Sequence, residues 1–241
     1  MPGQLVRARV AAVRKSLAEA ALVEVLERSP DEQEPPCPHA GRCGGCSWQS
    51  LAYGRQLAWK ERIVHDALER VGKVACPPML PILPSPSEWG YRNKMEFAFG
   101  VSGDGGKALG LRERGSRNIV EVTGCLLQTP LTMRVLEAVR MLSNGAFHDL
   151  DGRFLVVREP NAGGCFVELI VGAGGSLEAG ERFAEALRAE TPEVTGFALS
   201  ERLAPSDVAY GERALYADGR LEERIGDVRL QMGHNAFFQV N

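Results

Sequence analysis

Residues 37–46 read CPHAGRCGGC, so three of the chain's six cysteines fall within ten positions, the last two separated only by a pair of glycines. Clustered thiols in a reducing compartment hold a metal centre more readily than they form disulfides, and the backbone must fold around that centre. Gly44 and Gly45 allow a turn tight enough to aim backbone N–H groups at sulfur. Cys37, Cys43 and Cys46 supply three corners, and a fourth ligand must come from elsewhere. Three readings remain open on spacing alone: a tetrahedral zinc site completed by His39 or a remote cysteine, a [4Fe-4S] cluster on four cysteines, or reduced cysteines with a structural role.

The 241 residues suffice for one sizeable core or two modest domains. The longest apolar runs fall well short of the roughly 20 residues of a membrane helix. The start, MPGQLVRARVAAVRKS, has no apolar stretch of the kind a secretory signal needs. The expectation is therefore a cytoplasmic, monomeric protein with no membrane partner. A net charge of −3 advertises no overall basic field, so a nucleic-acid partner would have to use local patches. Two exist: Arg7, Arg9, Arg14 and Lys15, with no acid among the first fifteen residues, and the arginine-rich span from Arg92 to Arg117.

Alternation of apolar and polar residues predicts a hairpin over 4–13 and 18–27, with one buried and one basic face. RSPDEQEPP, residues 28–36, reads as a linker. Apolar positions from Leu51 to Val71 recur at helical spacing, with Gly72 as the stop, and the proline-rich 76–90 reads as a surface connector. Strands are expected at NKMEFAFGV, KALGLRER and NIVEV, and a helix over 130–142 with Thr129 as its N-cap. Further strands follow at RFLVVREP, GCFVELIVG and VTGFALSERL, a helix over 177–189, and a hairpin-like ending. Strand pairs separated by single helices, with no GxGxxG, predict an α+β domain on a mixed or largely antiparallel sheet rather than a Rossmann fold.

The stretch CPHAGRCGGCSWQSLAYGRQLAWK resembles the iron–sulfur motif of the RNA uracil-5-methyltransferases. GYRNKMEFAFG, LGLRERGSRNIVEV and NAFFQVN resemble further segments of that family in the same order. The resemblance implies a [4Fe-4S] cluster on Cys37, Cys43, Cys46 and Cys125, the last in VEVTGCLLQTP. It leaves Cys76 and Cys165 as buried small hydrophobes. It makes residues 1–30 the final part of an OB-like TRAM domain, 31–236 a cluster-bearing central domain, and 237–241 the start of a methyltransferase domain whose Rossmann-like body is absent.

Family members transfer a methyl group from S-adenosylmethionine to C5 of a uridine in ribosomal or transfer RNA. A cysteine thiolate first adds at C6, and a carboxylate later removes the C5 proton. Both catalytic groups lie downstream of this stretch in the family, so none of the six cysteines here is the expected nucleophile. Gln239 is the expected contact to S-adenosylmethionine, and Phe237 the aromatic that lies against the target base. Arg92 and Lys94, two residues apart, are expected on one strand face toward RNA phosphate. The competing classes are an RNA-binding metalloprotein without chemistry of its own and an iron–sulfur redox carrier.

Overall fold

The computed structural model describes residues 1–15, 17–172 and 175–240; Asn241, the end of the 237–241 stretch, lies outside them. The chain divides into two compact units, one formed by Met1–Ala40 with Cys46–Pro86, the other by Gly41–Gly45 with the residues from Ser87 onward.

The first unit contains the expected hairpin, β1 (Leu5–Arg14) paired antiparallel with β2 (Leu17–Glu27). The predicted buried face does not form. Every residue of β2 and all but Ala12 of β1 are exposed, because a two-stranded ribbon has no second layer of its own to cover it. Nor is the other face simply basic: β2 brings Glu24 to Arg7 and Glu19 to Arg14. Helix α1 (Tyr53–Asp66) continues into one π-helical turn, Ala67–Val71, and ends where the Gly72 N–H reaches the Ala67 carbonyl. The helical period of 51–71 is thus real, yet no residue of α1 is buried. The proline-rich connector is tied along α1: the Ile82 N–H donates to Glu61 Oε1 and the Ser85 N–H to the Tyr53 hydroxyl, each at 2.7 Å. Cys76 lies in this connector and is half-exposed, not buried as expected.

The second unit is an α+β domain on a seven-stranded mixed sheet. Its strands are β3 (Lys94–Val101), β4 (Lys107–Arg112), β5 (Ile119–Val120), β6 (Gly152–Arg158), β7 (Cys165–Val171), β8 (Val194–Glu201) and β9 (Arg213–Asp218), in the order β5-β4-β3-β6-β7-β8-β9. Only β7 and β8 are parallel, and the helix between them makes the crossover that such a pair requires. Strands β10 (Leu221–Ile225) and β11 (Val228–Met232) form a separate hairpin.

Helices α2 (Pro130–Asn144) and α3 (Leu177–Glu190) cover one face of the sheet. Alternate strand residues such as Phe97, Leu155, Val157, Val167, Leu169, Phe197 and Leu199 meet Val135, Leu136, Val139, Phe183 and Leu187 from the helices. Phe183 and Phe197 stack at 5.6 Å between ring centroids. Thr129 caps α2 as expected, and Glu159, from the loop after β6, adds its carboxylate to the Thr132 N–H at 3.0 Å. This acid at a helix N-terminus fixes the strand end against the helix start. The opposite face carries two smaller apolar sets, Phe154, Val156 and Ile170 with Ala98, Ala108 and Ile119, and Phe166 and Ala198 under Leu221 and Met232 of the last hairpin.

Candidate nucleic-acid interface

The segment leading into β3 is held by backbone bonds to two distant stretches of chain. The Gly90 N–H donates to the Leu126 carbonyl at 2.8 Å, the Arg92 N–H to Leu127 at 3.0 Å and the Asn93 N–H to Val240 at 3.1 Å. Glu159 N–H returns to the Asn93 carbonyl at 2.8 Å. Beside them, the Gly44 N–H donates to the Arg112 carbonyl at 2.9 Å and the Arg114 N–H to Arg42 at 2.8 Å, and Cys43 bridges Glu113. A Cβ at position 44 would stand 3.1 Å from the Arg112 carbonyl oxygen, so a glycine suits this close approach. Segments scattered over 200 residues of sequence thereby meet at one place in the second unit.

They enclose a cleft of about 730 Å³ lined by Arg92, Lys94, Glu96, Arg112, Arg114, Phe237 and Phe238, with Gly44, Gly45 and Gly115 at its rim. Arg92 lies just before β3 and Lys94 begins it, and both line the cleft. Lys94 pairs with Glu96 and Arg112 with Asp207, the latter at 3.0 Å. Hydrogen bonds from Ser116 Oγ and then Asn118 Nδ2 hold the Glu113 carboxyl below its ordinary pKa. The Nε of Arg92 is buried with no hydrogen-bond partner among the described residues. Native proteins seldom leave such a donor unsatisfied. Phe237 is 85% exposed, an apolar ring held out beside four cationic side chains. Cations that take phosphate and an open aromatic face that stacks a base are what single-stranded nucleic acid requires. Gln239 is exposed on the same segment and does not line the cleft.

Sequence reasoning missed Arg112, Arg114 and Phe238 as individual cleft residues. The signal was present in LRERG, where a two-residue step places both arginines alike, as it does Arg92 and Lys94.

Of the cysteines, Cys37 and Cys46 belong to the first unit and Cys43 and Cys125 to the second; all four are half-buried. The Gly45 N–H donates to Cys43 Sγ at 3.4 Å, the N–H to sulfur contact that the glycine pair leads one to expect. Among the described residues, no three His, Cys, Asp or Glu side chains are gathered so as to hold a metal ion. Cys165 is fully buried, and burial pushes its thiol up to about 12, which removes it as a thiolate ligand or nucleophile. Among the described residues no helix is long and apolar enough to cross a membrane.

Comparison with known proteins identifies the lineage. The chain is 45% identical over 253 aligned residues to an uncharacterized RNA methyltransferase of Nitratidesulfovibrio vulgaris, covering all of this chain and 54% of the relative. The chain is similar throughout its length to about half of this RNA methyltransferase. Another RNA methyltransferase of this group, from Caldanaerobacter subterraneus subsp. tengcongensis, is 34% identical over 255 residues, covering 99% of this chain and 56% of its own length. One from Thermosynechococcus vestitus is 31% identical over 251 residues, covering 100% and 55%. The chain thus spans about half the length of the curated relatives it matches. No family model matches it.

Proposed function

We propose that the cleft of the second unit holds a single-stranded stretch of ribosomal or transfer RNA for methylation at C5 of a uridine by the whole protein. The observation that carries this reading is the convergence of Arg92, Lys94, Arg112 and Arg114 with the open ring of Phe237 around one cavity. Arg92 and Lys94, both in the lining of the cleft, take backbone phosphate. Phe237 stacks against the base, which must leave its own stack to be reached. Gln239 presents an amide that can donate and accept together, suited to the polar methionine end of S-adenosylmethionine. That cofactor supplies the methyl group once a cysteine thiolate has added to uracil C6, and neither this thiolate nor the proton-accepting carboxylate is assigned to residues of this chain.

Cys37, Cys43, Cys46 and Cys125 would hold a [4Fe-4S] cluster whose role is to brace the fold, since four thiolate ligands leave no iron open to substrate. The exposed hairpin β1–β2 would belong to a TRAM-like domain and offer a second, weaker RNA contact.

Two measurements test this reading. Binding of a short fluorescent oligouridylate should weaken steeply with salt, and the Arg92→Ala/Lys94→Ala double variant should lower the slope of log affinity against log salt by about 1 to 2. An unchanged slope removes the two residues from the phosphate path. Protein purified without oxygen should be brown and contain iron and acid-labile sulfide; a colourless, folded sample holding only zinc would remove the cluster.

A further inference from the structure

Three buried polar or charged side chains of the sheet lie on one face of it. Arg158 ends β6, Glu168 sits in mid-β7 between Val167 and Leu169, and Ser200 lies in β8; all three are buried, Glu168 at 2% exposure. Arg158 pairs across from Phe166, and Ile170 from Ser200, so these side chains share the face that α2 and α3 do not cover.

A buried carboxylate costs several kcal/mol unless charge and hydrogen bonds compensate it. Ser200 Oγ donates to Glu168 Oε1 at 2.6 Å, and His234 Nε2 lies 3.8 Å from the same oxygen. Burial lowers the pKa of Arg158, and the charges of Glu168 and then Glu96 oppose that shift, so the guanidinium and the carboxylate feel one another.

His234 belongs to the 233–240 segment, which carries Phe237 and has no helix or strand of its own. The same segment is fastened at three further points. Arg158 Nη2 donates to the Ala236 carbonyl at 2.7 Å, Asn235 Nδ2 to the Gly211 carbonyl at 2.8 Å, and the Asn93 N–H to Val240. Gly211 is fitted to the cluster: a Cβ there would stand 2.3 Å from Ser200 Cβ and 2.7 Å from Glu168 Oε1.

We propose that buried Glu168, Ser200 and Arg158, with the partly exposed His234, form a clasp that fixes the 233–240 segment across the sheet and thereby sets Phe237 in the cleft. None of the four lines the cleft, so they are positioning residues. A polar clasp suits this task better than an apolar one. Apolar side chains can slide between equivalent packings, whereas a buried carboxylate is satisfied in one register only. The consequence for RNA rests on the reading of Phe237 as the stacking residue; the clasp itself does not.

The test combines amide hydrogen exchange of residues 233–240 with oligouridylate binding, on the 241-residue chain. In His234→Ala, exchange at Ala236 and at Asn93 should quicken about ten-fold while the amides of β6 and β7 keep their protection. His234→Gln, whose amide nitrogen can stand near the place of Nε2, should restore slow exchange to within about two-fold. Glu168→Gln, isosteric but uncharged, should also loosen the segment. Unchanged exchange in both His234→Ala and Glu168→Gln overturns the clasp. If exchange quickens and RNA affinity falls together, the positioning role stands. If exchange quickens and Phe237→Ala weakens RNA binding while His234→Ala does not, positioning is overturned. If Phe237→Ala itself has no effect on RNA, the stacking reading fails, and quickened exchange still supports the clasp.

Discussion

The hairpin β1–β2 and the strand pair β6–β7 are both antiparallel, both rich in apolar residues and both shifted in register by irregularities. One is exposed along nearly its whole length; every residue of β7 and the last five of β6 are buried. Pairing is thus a local property of the sequence, whereas burial depends on further layers, which α2 and α3 give to one face of β6 and β7 and the last hairpin gives to Phe166 of β7 on the other.

The contrast can be broken most sharply in the core. Phe197→Ala removes a fully buried ring stacked on Phe183 and should cost about 3 to 5 kcal/mol in urea unfolding. Leu22→Ala, at 61% exposure in β2, should change stability by no more than about 0.5 kcal/mol. Equal losses at the two positions would mean that β2 is covered in solution.

A smaller effect is expected at the sheet edge. Arg188 grips the Asp218 carboxylate from two nitrogens, and the Phe197 N–H donates to it at 3.1 Å. The Arg188 hydrogen bond, ahead of one from Tyr216, holds the Asp218 carboxyl below its ordinary value of 3.8. A depressed carboxyl stabilises the fold fully above that ordinary value, and the contribution is lost as pH falls through the lower, folded-state value. Asp218→Asn should cost about 1.5 to 3 kcal/mol at neutral pH and flatten the acid limb of a stability–pH curve. An unaltered acid limb would show that the contact does not form.

The smallest effect belongs to the hairpin. Glu24→Ala breaks its ion pair with Arg7, whose partners are both more than half exposed, and should cost about 0 to 1 kcal/mol, vanishing at high salt. A larger, salt-independent loss would mean that the ribbon is packed against something.

Much of this was legible in the sequence, because alternation and capping act over a few residues. Thr129 and Pro130 announced α2, Gly72 announced the end of the helical turn, and MEFAFG and FLVVR announced their strands. The burial of the hairpin was not legible, since alternation says that a strand has two faces and not what covers either. At the site, the charge of Glu168 inside CFVELIV stands out by inspection. Its partners Ser200 and His234 lie 32 and 66 residues away, and only the β7–β8 pairing and the returning final segment bring them together. Arg112 and Arg114 were within reach, and joining them to Arg92 and Phe237 required the order β4-β3 and the Asn93 to Val240 bond.

We propose that RNA lies chiefly in the cleft of the packed unit, with the exposed ribbon only a weaker contact. The direct measurement is photocrosslinking of RNA carrying thiouridine, followed by identification of the modified peptides. The account predicts crosslinks concentrated at Phe237 and Phe238 and around Arg92 and Arg112, abolished by Phe237→Ala at the first of these. Crosslinks confined to β1 and β2, with the 233–240 peptide unmodified, would contradict it.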